Sequence, residues 1–183
     1  MFEALLVVVL SAAPAIEGTW SSPACESTPD GSMHFTRTFK IDKGAWAIDF
    51  STYGDAACKE KMVTVDIDGP YKLEKPSPKV KGATEAQFLF TRRKATPKSE
   101  GAAKWLSSVK ACGKADWKAG ESVDIDASGC PQLGAYPKAQ CAGEFDLVKV
   151  EGDQLFFGAR PADGNLCSKE KRPAQLGAPV KKS

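Results

Sequence analysis

From residue 33 the apolar side chains recur at every second position. Met33, Phe35, Phe39 and Ile41 share one face of the extended chain, and His34, Thr36, Thr38 and Lys40 share the other, so His34 faces solvent. That is the period-two signature of a half-buried strand. Asp42-Lys-Gly44 supplies turn residues, and Trp46, Ile48 and Phe50 then alternate with Ala47, Asp49 and Ser51, which predicts a hairpin. Val63, Val65 and Ile67 continue the alternation, and Gly69-Pro70 reads as a turn into a short strand over 71–73. After a loop marked by Pro76, Pro78 and Gly82, residues 84–96 read as one long strand carrying Phe88 and Phe90. Further strands are predicted over 122–127, 144–150 and, beyond the Glu151-Gly-Asp153 turn, 154–159. Only 99–110 changes to a helical period, with Ser99 as its cap, Ala102, Trp105, Leu106 and Val109 on one face, and Trp105 as its anchor. The Pro- and Lys-containing tail from Arg172 reads as loose from about residue 180.

Eight or nine short antiparallel strands with a single helix imply a sandwich or a closed barrel, and closure removes unpaired edges. The expected fold is all-β, an antiparallel barrel with one short helix. A barrel of about eight strands is either filled by its own side chains or holds one small ligand.

The chain opens on an apolar run, Ala4 to Leu10, too short to span a bilayer and followed by Ser11-Ala-Ala-Pro-Ala15, whose ending suits signal peptidase. Residues 1–15 therefore read as a secretory signal and 16–183 as the mature domain, secreted or periplasmic. Because Met1-Phe-Glu3 lacks a basic residue, an N-terminal core strand is the competing reading. No later stretch reads as a transmembrane segment. Cys25, Cys58, Cys112, Cys130, Cys141 and Cys167 form an even set, as a disulfide framework in an oxidising compartment would. Many pairings are open; the preferred one joins Cys25 to Cys58, Cys112 to Cys130 and Cys141 to Cys167, each pair bracketing a segment that a turn folds back. With no Cys-x-x-Cys and one His among 183 residues, no metal or cofactor site is expected. Lys+Arg 25 against Asp+Glu 23 leaves a net charge of +2, which gives no reason to expect nucleic acid. The lone His34 excludes mechanisms needing two imidazoles. No spacing among Asp49, Asp55 and Asp66 singles out an acid/base pair, so an enzyme is not expected.

An ordered set of short motifs runs through nearly all of the mature chain. It comprises Gly18-Thr-Trp20, Cys25-Glu26, Arg37 with Phe39, Trp46, Tyr53-x-Asp55-x-x-Cys58, Gly69-x-Tyr71, Gly82-Ala83, Cys112-Gly113, Trp117-x-x-Gly120, Gly129-Cys130, Leu133-Gly134, Leu155-Phe-Phe-Gly158 and Arg172-Pro173. In that order they resemble the extracellular domain of the adenomatosis polyposis coli down-regulated family, whose vertebrate members inhibit Wnt signalling. The resemblance implies a lipocalin-like barrel with an apolar cavity for an acyl chain, in vertebrates the palmitoleoyl group of Wnt. The vertebrate proteins carry two such domains and a membrane anchor. This sequence shows one domain ending in Lys181-Lys-Ser183 and reads as bacterial, so lipid binding rather than Wnt itself is the expectation.

The expected ligand-binding residues are the inward apolar positions Phe35, Phe39, Trp46, Ile48, Phe50, Val65, Phe88, Phe90, Phe145, Leu155 and Phe157, together with Arg37. An acyl chain offers about 0.8 kcal/mol for each methylene taken from water. Arg37 shares the face of Phe35 and Phe39, where it anchors a lipid headgroup or carboxylate or else forms an internal ion pair with Glu26 or Asp55. Trp20 is expected to close one barrel end and to stack on Arg160 or Arg172. Lys75 to Lys81 and Arg92-Arg93-Lys94 read as solvated faces. The expected partners are a fatty acid or other lipid, or a lipid-modified protein. The competing function is a protein-binding or envelope-structural module whose barrel is filled and whose loops, at 76–82 or 130–141, meet a partner.

Overall fold

The alternating segments close into a ring. The computed structural model describes residues 13–28, 30–161 and 163–183, so the expected signal segment lies, up to position 12, outside the described residues. The strands are β1 (Gly18–Ser21), β2 (Glu26–Ser27), β3 (His34–Asp42), β4 (Ala45–Tyr53), β5 (Lys61–Pro76), β6 (Thr84–Leu89), β7 (Arg92–Pro97), β8 (Val123–Asp124), β9 (Gly143–Glu151), β10 (Gln154–Phe157) and β11 (Val180–Lys182), with helix α1 (Glu100–Ser108) between β7 and β8. Antiparallel pairing runs β1-β3-β4-β5-β6-β9-β10-β11 and back to β1, an eight-stranded closed barrel.

The tail expected to be loose is the closing stave of this barrel. In β11, Lys182 lies opposite Trp20 of β1, and Val180, fully buried, lies opposite Leu155 of β10. Without it the facing edges of β1 and β10 would carry unpaired backbone groups.

The structure exchanges two expected features of the middle of the chain. Gly69-Pro70 is no turn: β5 runs through it for 16 residues, its first half paired with β7 and its second with β6. A Cβ at Gly69 would strike the carbonyl oxygen of Leu89, so glycine serves a close crossing of chains here. The break falls instead inside the expected strand 84–96, between β6 and β7. There the Phe90 N–H donates to the Ala142 carbonyl at 2.9 Å and the Thr91 N–H to that of Asp68 at 2.7 Å.

One face of the β3-β4-β5 sheet carries two cores in succession. The lumen core holds Ile16, Trp20, Phe39, Ile41, Trp46, Phe88, Phe157 and Val180. Beyond it, Val63, Val65 and Ala95 meet Ala102, Ala103 and Leu106 of α1, with Trp117 and Ile125. Ser99 caps α1, its hydroxyl accepting from the Ala102 N–H at 3.1 Å. The buried stripe is narrower than expected. Trp105 and Val109 stand 46% and 43% exposed, and the anchoring indole is that of Trp117, whose Nε1–H donates to Ala111 at 3.2 Å.

The three disulfides join Cys25–Cys58, Cys112–Cys130 and Cys141–Cys167. Chain entropy alone makes loops of this size contribute about 3 to 4 kcal/mol each. Trp20 is buried in the lumen core with its indole N–H donated to the Ile16 carbonyl at 2.8 Å, and the cation over its ring is Lys182 at 5.4 Å, not Arg160 or Arg172.

Candidate functional site

Six of the twelve expected ligand-binding residues meet inside the lumen: Phe39, Trp46, Phe88, Phe90, Leu155 and Phe157, with half-buried Ile48 packed against them. Their rings touch. Phe39 stacks on Phe157 at 4.3 Å between centroids, Phe88 lies 5.7 Å from Phe157, and Trp46 meets Phe88 edge-on at 5.1 Å. These are the separations of packed aromatic pairs in a core.

The remaining positions are dispersed. Val65 lies under α1 in the second core, and half-buried Phe50, packed there as well, stacks on Phe35 at 5.2 Å. Arg37 is committed to Glu26, its Nε and Nη2 donating to the two carboxylate oxygens at 2.8 and 2.7 Å, with a further bond from Nη2 to the Ala178 carbonyl at 3.0 Å. The internal ion pair is thus the arrangement present, with Glu26 as partner. Asp55 instead accepts the backbone N–H groups of Glu60, Lys59 and Ala57, which hold its carboxyl below the usual range. Phe145 faces away from the lumen. Val148 opposes the inward Phe157 across β9 and β10, so odd-numbered Phe145 points outward, where the Arg172 guanidinium covers its ring at 5.6 Å.

Two buried cations, Arg93 and Arg172, escaped the alternation pattern because their partners come from distant segments, and a buried carboxyl, Asp146, escaped it as well. Arg93, expected to be solvated, is 2% exposed between the two cores. Its Nε donates to Asp126 Oδ1 at 2.8 Å and its Nη1 to the Tyr136 carbonyl at 2.8 Å, while its guanidinium lies 4.9 Å from the Phe90 ring centroid. Arg172 bridges Glu74 and Glu85, both at 2.6 Å, and its Nε has no partner among the described residues. Asp146 is buried on the lumen-facing side of β9. Its Oδ1 accepts the N–H groups of Leu147 at 2.7 Å and Gly158 at 2.9 Å, and burial pushes its carboxyl up to about 7. A Cβ at Gly158 would collide with Asp146 and Pro173, so glycine is required for this contact.

Two grooves open on the outer surface. One, of about 460 Å3, borders Arg172 with Lys72, Lys75 and Lys169. The other, of about 680 Å3, lies across the outward face of β3, β4, β5 and β7. Its floor follows the strand register: Thr38, Asp49, Asp66 and Lys94 form one rung and Lys40, Ala47, Asp68 and Arg92 the next. Among the described residues no three or more His, Cys, Asp or Glu side chains gather into a metal site, and no helix is long and apolar enough to cross a membrane.

A family model described as Adenomatosis polyposis coli down-regulated 1 matches residues 6–155. Domains of that family are not catalytic. With a match over most of its length, this chain belongs to the adenomatosis polyposis coli down-regulated family.

Proposed function

We propose that the domain is an exported binding module built on a filled barrel, which meets its partner through its outer surface rather than swallowing a lipid. The observation that carries this is the packing of Phe39, Phe88 and Phe157, whose rings occupy the space an acyl chain would need. An acyl chain entering there must first separate these rings, and breaking their packing offsets the roughly 0.8 kcal/mol gained for each methylene. Arg37 is spoken for as well, since a lipid carboxylate would have to displace Glu26 from a bidentate pair. The leader-like segment ending at Ala15 and the three disulfides support an oxidising, extracytoplasmic setting.

The test is to purify the full chain from the extracytoplasmic fraction, extract it with organic solvent for mass spectrometry, and titrate it with a fluorescent fatty acid. The expected result is no stoichiometric lipid and no saturable uptake. One equivalent of bound lipid, or saturable uptake lost in Phe157→Trp, overturns the filled-barrel reading in favour of acyl-chain binding within the lumen.

A further inference from the structure

Three of the four tryptophans are buried, and each spends its indole N–H inside the fold: Trp20 on the Ile16 carbonyl, Trp46 on that of Leu89 and Trp117 on that of Ala111. Trp105 differs on both counts. It stands 46% exposed on α1, and its indole N–H is bonded to no other described residue. Val109, one helical turn further on, is exposed as well, and its backbone N–H donates to the Trp105 carbonyl at 3.2 Å. Two of the three large apolar side chains exposed among the described residues therefore sit together at the outward face of α1. The core does not need them, because Ala102, Ala103 and Leu106 are the residues with which the helix packs.

The chain holds this face rigidly. Just after Val109, Lys110 and Cys112 both take left-handed backbone, with φ of 47° and 53°, which residues other than glycine seldom adopt. Buried Ala111 and the Cys112–Cys130 disulfide fix the turn, so Val109 and Lys110 are presented by a frame and not by a loose loop. The flank is basic. Over residues 98–110, exposed Lys98, Lys104 and Lys110 are set against one acid, Glu100, a net charge of +2 that equals the net charge of the whole chain, so the rest of the sequence balances. The next lysines add nothing to this, since Lys114 and Lys118 are held by Asp116 and Glu121.

Size and charge together select the partner. A protein interface of ordinary size covers about 800 Å2 on each side around a buried apolar centre, which two half-exposed side chains do not supply. A bilayer asks less. An indole lodges in the headgroup layer with its N–H on a lipid oxygen, a small aliphatic side chain follows it, and lysines lay their stems along the apolar boundary with their ammonium groups among the headgroups. Anionic headgroups reward those lysines and zwitterionic ones do not.

We propose that the outward face of α1 docks the domain on an anionic membrane surface, with Trp105 and Val109 entering the headgroup layer and Lys98, Lys104 and Lys110 meeting lipid phosphates. The proposal rests on the reading of the domain as a binding module that uses its outer surface, and it names the partner of that surface.

The experiment sediments the full chain with sucrose-loaded vesicles of phosphatidylcholine alone and of phosphatidylcholine mixed equally with phosphatidylglycerol. Binding is expected to the mixed vesicles only, and it should fade as salt is raised. Trp105→Ser should weaken partitioning about tenfold or more, and Lys104→Ser/Lys110→Ser about thirtyfold. Lys79→Ser/Lys81→Ser, which removes two exposed lysines from the connection between β5 and β6, should bind as wild type. The apolar run Ala4 to Leu10 is common to every variant, so differences among them belong to the substituted residues. All of the variants change exposed side chains and should melt at the wild-type temperature; were Trp105→Ser to melt lower, the lysine variants still decide. The proposal is overturned if neither vesicle is bound, if phosphatidylcholine alone binds as well, if a Trp105→Ser chain of wild-type stability binds as wild type, or if the substitutions at 79 and 81 cost as much as those at 104 and 110. Stoichiometric lipid in the lumen would sink the filled barrel without touching α1, and failed sedimentation here would leave the filled barrel standing.

Discussion

Phe39 of β3 and Phe157 of β10 stack across the lumen with ring centroids 4.3 Å apart, although β1 and β11 separate their strands in the ring. The contact joins parts of the chain more than a hundred positions apart and makes the lumen a core. Phe157→Ala should therefore cost about 3 to 5 kcal/mol, as for a large ring removed from a packed interior. Urea denaturation measures it, and a loss below about 1 kcal/mol would mean that the ring borders open space.

Arg93 links the two cores through Asp126 and the Tyr136 carbonyl. Replacing it with alanine leaves the Asp126 charge without its guanidinium partner, with an expected cost of about 3 to 5 kcal/mol. Arg93→Met/Asp126→Leu, which removes both charges, should recover most of that loss. Denaturation midpoints of the two variants decide whether the pair or only its completeness matters.

Asp146 makes stability depend on pH. Its folded carboxyl titrates at about 7, above the ordinary 3.8, so the folded state holds the proton more tightly than the unfolded chain. The stabilising contribution is complete below the unfolded value and is lost as pH rises through the folded one. The wild-type midpoint in urea should fall between about pH 4 and about pH 7 and level off above, whereas Asp146→Asn should show a flatter profile over that window. Parallel profiles for the two proteins would show that another group is responsible.

Deleting residues 180–183 removes the closing stave. The loss should be at least about 2 kcal/mol, the worth of burying the Val180 side chain alone. The opened edges of β1 and β10 should also promote self-association, visible by size-exclusion chromatography. A truncated chain that stays monomeric with an unchanged midpoint would show that closure at β11 contributes little.

Much of this was legible in the chain. The alternation Phe35, Phe39, Ile41 and Trp46, Ile48, Phe50 specifies the β3–β4 hairpin because period two is a local property of a strand with one buried face. Ser99 marks the start of α1 for the same local reason, since a cap needs only the next few backbone N–H groups. The even cysteine set, paired in order along the chain, anticipated all three disulfides.

What the chain alone left open depends on which distant segments come together. Nothing local to Val180 announces a strand, because its pairing is dictated by the edges of β1 and β10. Gly69-Pro70 has the composition of a turn, yet the approach of Leu89 makes it a crossing point. Arg93 looks like a surface cation until Asp126 arrives from elsewhere, and which carboxylate Arg37 takes, Glu26 or Asp55, is decided only when β2 pairs with β3. The sequence by itself determined most of the strands, the helix, the even cysteine set and the family. Tertiary structure alone decided that the lumen rings meet and that Asp49 and Asp66 stand side by side, because strand register and ring-to-ring distance are set by pairing across the barrel rather than by neighbours along the chain.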